Sequence, residues 1–298
     1  MSLSNRSPRL SGLLFLLTTA VGWALNWPAM KVLLREWPPL FSRGVAGIAA
    51  ALLLFALAVS RGEAIRVPRA WVPRLLLAAA TNVLAWMGLS TMAMQWLPVN
   101  EAALLVYTMP LWAMLFAWPM LSRRPSASGF CALLLGLAGV AVLLGGHGIS
   151  FDAGRRTGIA CALGAAVLFA FGTVANRKPL PVAPLTLVAW QVALGCIPMV
   201  VFGLAVEAPR LEALHGDGWA VLVYMALVPM GVCYLAWFET LRRLPAEVAS
   251  IGMLLVPILG IAAAALSLGE PLGARTGIAM ALTLSGVALA LRQKRSDS

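Results

Sequence analysis

The stretch LPAEVASIGMLLVPILGIAAAALSLGEPLGARTGIAMALTLSGVALAL, Leu244 to Leu291, reads as two apolar helices joined by a short LGEPLG connection. Moved back by 147 positions, it lies on Leu97 to Leu144 without a gap. Pro245 then falls on Pro98, Pro257 on Pro110, and Gly286-Val287-Ala288 on Gly139-Val140-Ala141. A shared apolar composition explains scattered identities. Two prolines and a Gly-Val-Ala in one register point to a duplicated chain, and a repeat is read before anything else.

The composition decides the solvent. The chain has 298 residues, 61% apolar and 11% charged. Soluble domains carry roughly 25% charged residues, so a soluble globule of this composition would lack polar surface. Apolar runs of about 20 residues recur along the chain, each long enough to cross the ~30 Å hydrocarbon core of a bilayer. Alternating ten-residue segments of a membrane β-barrel are absent from the sequence. The expected fold is all-α and polytopic. Ten spans are expected at 10–31, 38–59, 72–94, 98–120, 127–145, 157–177, 184–205, 218–240, 246–268 and 272–291.

A net charge of +11 invites a nucleic-acid reading. The basic residues instead sit in short loops and at the termini, which is how topology signals are placed. With the N-terminus in the cytoplasm, fifteen Lys and Arg fall on the inner side. Six fall outside: Lys31, Arg35, Arg155, Arg156, Arg210 and Arg275. That bias predicts both termini in the cytoplasm and an even number of spans. The first span has a basic start, yet it is too long for a signal-peptide h-region. It also has a partner: shifted by 146, Gly12 falls on Gly158, Ala20-Val21 on Ala166-Val167, and Ala24 on Ala170. The duplication is therefore five spans plus five, residues 1–145 and 146–298. Five is odd, so the second copy enters from the opposite side. Inverted repeats of this kind are the usual architecture of secondary transporters, with substrate bound between the halves.

The run Ala249-Ser250, Pro257, Leu268-Gly269-Glu270-Pro271 and Gly286-Val287 resembles the second EamA-type repeat of the drug/metabolite transporter superfamily. The first half is similar through Ala102, Pro110, Gly139 and Val140. Within the superfamily the chain looks most like bacterial amino-acid and aromatic-metabolite exporters. The resemblance implies a ten-helix transporter with a central substrate cavity, no bound cofactor and no ATPase. The glutamate thirteen residues after the repeat proline is Glu270; the first copy has Arg123 there.

Polar and aromatic residues inside spans mark candidate sites, because polar groups in hydrocarbon are costly. Trp23, Asn26, Trp27 and Met30 share one helix face by their i, i+3, i+4, i+7 spacing. Their repeat mates are Phe169, Gly172, Thr173 and Asn176. Span 3 offers Asn82 and Trp86, and span 8 offers Pro229, Cys233, Tyr234 and Trp237. Tyr107 lies before Pro110, and its mate is Leu254. These residues form the expected substrate-binding wall: Trp23, Asn26, Trp27, Asn82, Trp86, Tyr107, Phe169, Thr173, Tyr234 and Trp237. Interhelical packing, with a buried Asn as glue, is the competing explanation. Pro110, Pro229 and Pro257 are candidate hinges, and a mid-span proline frees carbonyls that can hold substrate. Arg43 and Glu101 are expected near the outer ends of spans 2 and 4, as interface anchors or as a gating pair. Trp37, Trp71, Trp96 and Trp219 read as interfacial anchors; Trp112 and Trp190 lie deeper. Gln191 sits beside Trp190.

Other chemistry has little to stand on. Cys131, Cys161, Cys196 and Cys233 all fall inside spans and read as small apolar fillers. His147 and His215 lie alone in loops, and no metal site is expected. Asp occurs only as Asp152, Asp217 and Asp297, and the sequence has no HExxH, which argues against an intramembrane enzyme. A phosphorylated cargo would need an intramembrane cation cluster, and only Arg43 is available. The expected function is alternating-access transport of amino acids or similar amphipathic metabolites, export included. A multidrug carrier and a lipid or nucleotide-sugar carrier of the same fold are the alternatives. The expected partners are a small-molecule substrate and the lipid bilayer, with the chain a monomer or a homodimer.

Overall fold

The computed structural model describes residues 6–122, 124–145, 153–245, 248–249 and 252–293. Arg123, His147, Asp152, Ser250 and Asp297, singled out above, lie outside them. Among the described residues the regular structure is helical throughout. Nine helices among the described residues are long and apolar enough to cross a membrane, running from Arg9–Leu33 through Ala274–Leu291. A tenth apolar helix, Leu255–Leu268, is shorter. It occupies the place of span 9. The protein is a polytopic helical membrane protein built as two five-span halves.

The packing obeys the repeat. Span 1 packs on spans 8 and 9, and span 6 packs on spans 3 and 4. Span 2 pairs with span 7, and span 5 with span 10. Exchanging each span with the one five places on leaves this pattern unchanged. Small residues set the closest approaches. A Cβ on Gly286 would meet the Ala132 carbonyl at 2.7 Å, so spans 5 and 10 touch backbone to backbone there. Such contacts replace a hydrophobic drive that lipid does not provide.

Five described spans depart from plain helices: span 7 ends in a π-helical stretch, Gly203–Glu207, without a counterpart in span 2, and the other four depart in matching pairs. Span 4 divides into Val99–Val106 and Met109–Leu121, with the break at Tyr107-Thr108. In span 9 the chain turns at Met253-Leu254 before Leu255–Leu268. Pro110 and Pro257 follow these breaks; each lacks the N–H that would bond back across it. Spans 3 and 8 carry π-helical stretches, Ala80–Leu89 and Val228–Val232. The second holds Pro229.

Helix starts are satisfied by carboxylates, which the sequence reading missed. Glu207, at the end of span 7, accepts from Leu40 N and Phe41 N at 3.0 and 2.9 Å, at the start of span 2. Glu63, just after span 2, accepts from Thr186 N at 3.0 Å and from its hydroxyl at 3.2 Å, at the start of span 7. Glu270 accepts from Val99 N and Asn100 N at 2.7 and 3.1 Å, at the start of span 4. Glu36 accepts from His215 N at 2.8 Å, before span 8. Each carboxylate meets the positive end of a helix dipole.

Losing one helix cap typically costs about 1 kcal/mol. Glu63→Ala and Glu207→Ala should each lower the melting midpoint of the detergent-solubilised protein by a few degrees. The two caps share no partner, so the double variant should show the sum. A double variant no less stable than either single one would contradict independent caps.

Candidate substrate chamber between the two halves

Span 1 is the hub of the site. Its Trp23 lies 5.6 Å from the Tyr234 ring and 6.1 Å from the Trp237 ring, both on span 8. One turn on, Trp27 lies 6.0 Å from Tyr107. Tyr107 meets Trp86 edge-on at 6.3 Å, and Trp86 lies 4.6 Å from Phe169 on span 6. Rings from both halves thus form one continuous wall. The helix breaks place them: the turn at Tyr107 swings that ring between Trp27 and Trp86. All are part-buried except Trp27, which is buried. Such contacts add about 0.5–1.5 kcal/mol each beyond burial.

A cavity of about 470 Å³ reaches this wall from the side that carries the start of span 1 and the end of span 10, here called the near side. Met109, Pro110, Met114, Phe169 and Thr173 line it, and Arg124 and Arg177 stand at its mouth. Thr173 is exposed to it. The cavity is mostly apolar with two cations at the rim. Neither arginine was picked as a site residue from sequence, since both read as topology signals.

The far side is closed by polar contacts. Glu101 pairs with Arg155 on span 6 at 3.0 Å, joining the two halves. Lys31 Nζ donates to the carbonyls of Leu97, at 2.9 Å, and Met94. Above these, Lys31, Arg35, Gln95 and Glu270 border a polar cavity of about 500 Å³. The repeat mates of Arg155 and Glu101 are Arg9 and Val248, a cation and an apolar residue. At these two mirrored positions the near side therefore has no equivalent pair.

Several expectations change. Arg43 does not pair with Glu101, because Arg155 already holds that carboxylate. Nor does Arg43 extend to the outer interface: it is 5% exposed and donates to Asn26 Oδ1 at 3.3 Å. Its Nε is buried without a partner. The Pro229 carbonyl accepts from Trp23 Nε1 at 2.8 Å, so an indole occupies it in this conformation. Asn82 takes a bond from Thr81 Oγ1 at 3.3 Å and lies against Gly172, in the manner of packing glue. Trp190 donates to the Ile65 carbonyl and meets Phe55 edge-on, away from the chamber. Trp112 bonds Thr108 in its own helix turn. Trp96 and Trp219 are exposed as anchors should be, but Trp37 is buried, 4.9 Å from the Phe41 ring. Asn176, on the mirrored stripe, has both amide atoms buried without partners. Among the described residues no cluster of His, Cys, Asp and Glu could hold a metal.

Two inverted halves, a ring-lined chamber and closure on one face define a membrane transporter of the helical secondary-carrier class. The chain belongs to the EamA-like transporter family, whose model matches residues 10–145 and again 156–292. It is 29% identical to a probable terminal-alkyne amino-acid exporter of Streptantibioticus cattleyicolor, over 93% of this chain and 92% of that one. It is 27% identical to a probable amino-acid metabolite efflux pump of Salmonella typhimurium, over 92% and 91%. A crystal structure with 22% identity covers 98% of this chain and 99% of its own, at a TM-score of 0.66, and shares the fold. The chain is a transporter, not an enzyme.

The cavity makes a direct prediction. A cysteine at Thr173 should react within minutes with a membrane-impermeant maleimide added to the near side, read as a mass increase. Cys196 and Cys233 are buried and should stay unmodified in the same sample. Labelling of Thr173→Cys from the far side only would contradict the cavity.

Proposed function

We propose that this chain exports amino acids or similar small amphipathic metabolites, aromatic ones included, by alternating access. In this reading residues 1–145 and 146–298 are the two repeats, and both termini are cytoplasmic in a bacterial inner membrane. The near side is then the cytoplasmic side, and the conformation described is open inward. The observation that carries the reading is the single wall of rings, Trp23, Trp27, Tyr107, Trp86 and Phe169, contributed by both halves. A cavity reaches it from the near side.

The physics of the cycle follows from the contacts. Solute enters from the near side and lies against the rings, where apolar area and ring faces supply the binding. Opening the far side requires Glu101 to part from Arg155, and Lys31 to leave the carbonyls of Met94 and Leu97 between spans 3 and 4. The prolines at the breaks of spans 4 and 9 let each half-helix tilt without losing a full hydrogen-bond ladder. The bias of basic residues supports the orientation. The names of the Streptantibioticus and Salmonella relatives support the substrate class.

The test is exchange of radiolabelled phenylalanine, leucine and alanine in proteoliposomes, with and without a pH gradient. The wild type should exchange phenylalanine. Trp86→Ala should raise its KM about tenfold, since one lost ring contact plus burial approaches ~1.4 kcal/mol. Exchange of lipophilic cations but of no amino acid would replace this reading with a multidrug carrier.

A further inference from the structure

Arg43 is the buried cation among the described residues. It is the fifth residue of the span 2 helix, Pro39–Ser60, and its side chain ends beside Asn26. Asn26 lies between Trp23 and Trp27 in span 1, seven residues before Leu33, so about 10 Å below that end of the helix at 1.5 Å per residue. The guanidinium donates to a neutral amide oxygen at 3.3 Å, and its Nε has no partner among the described residues. Cys196 and Tyr234 are the titratable groups near it, and both are neutral donors or weak acceptors. Arginine stays charged in proteins. A buried, uncompensated cation is strongly unfavourable unless an anion joins it.

No described side chain supplies that anion. Glu101 is taken by Arg155. Glu36, Glu63, Glu207 and Glu270 hold helix starts. Glu239 pairs with Arg242 and Arg243 at the near side. Among the described residues the Arg43 guanidinium, beside the ring wall at Asn26, thus has no carboxylate facing it, while Arg124 and Arg177 stand apart at the cavity mouth.

The geometry points to Arg43 as the residue that binds the carboxylate of the transported solute. This inference rests on the reading of the ring-lined chamber as the substrate site, and it narrows that reading. A carboxylate at Arg43 would fill the vacant Nε and an Nη position with charge-assisted hydrogen bonds in the fork that guanidinium offers. The solute's apolar part would lie on Trp23 and Tyr234. An amino acid's ammonium would meet ring faces, a cation–π contact, in place of a carboxylate. The cargo class is therefore carboxylates and zwitterions, and simple amines are disfavoured because they bring a second cation beside Arg43.

The test uses two probes of one shape, 3-phenylpropionate and 3-phenylpropylamine, and the melting midpoint of the full-length detergent-solubilised protein. The carboxylate should stabilise the wild type, and the amine should not. Arg43→Gln should weaken the carboxylate effect at least tenfold in midpoint concentration. Arg43→Lys should keep part of it. Asn26→Asp places an internal carboxylate on the guanidinium; it should raise the melting midpoint and abolish the probe's effect. This variant keeps the test open where Arg43→Gln fails to fold. Equal response to both probes, no response to either, or a carboxylate preference that survives Arg43→Gln or Asn26→Asp would overturn the inference. Phenylalanine exchange is measured alongside. If exchange is absent while the carboxylate preference holds and falls with Arg43, the amino-acid reading fails and the carboxylate site stands. If exchange occurs at equal rates in wild type and Asn26→Asp, the transport reading stands and the role of Arg43 is wrong.

Discussion

A backbone N–H at the start of a helix has no acceptor within the helix, and here carboxylates take that place. What binds the two halves is where those carboxylates come from. Glu36 and Glu63 belong to the first half and hold the starts of spans 8 and 7. Glu207 and Glu270 belong to the second half and hold the starts of spans 2 and 4. Every one of these caps crosses between repeats. The chain has 11 acidic residues in all, and this use of them leaves the middle of the molecule without a free carboxylate among the described residues. The same constraint that staples the halves thus makes the chamber electropositive.

The second constraint is the broken helix ladder. Spans 3, 4, 8 and 9 each interrupt their hydrogen bonding, and irregular backbone survives in a membrane only where protein or a cavity satisfies it. The Trp23 indole does so for Pro229. The Tyr224 hydroxyl donates to the Gly22 carbonyl at 2.7 Å, which ties span 8 to span 1 a second time. Mirrored breaks do not give mirrored sites. Tyr107 stands at the turn of span 4, whereas its mate Leu254 has no ring or hydroxyl to offer.

Departures from symmetry decide which face is closed. Glu101 and Arg155 join spans 4 and 6 on the far side; Arg9 and Val248 at the mirrored positions do not form such a pair. An ion pair largely withdrawn from water is screened little by salt, so it holds one face while the other stays open. A two-fold symmetric sequence would have no reason to prefer either.

Much of this was legible from residues alone. Apolar runs of bilayer length gave the spans, and the register of Pro98 with Pro245 and Pro110 with Pro257 gave the duplication. The period-four spacing of Trp23 and Trp27 gave one wall of the chamber, because helical geometry fixes which residues share a face. Glu207 also lies 144 positions after Glu63, a repeat signal that was open to view. Partners across the interface were not. That Arg155, not Arg43, meets Glu101, that Trp190 turns away, and that an indole covers the Pro229 carbonyl depend on how distant spans pack. The sequence by itself determined the solvent, the spans and their inversion, since these follow from local hydrophobicity and period. Only the tertiary structure decided which charges pair and which one is left over, because pairing depends on distances between segments more than a hundred residues apart.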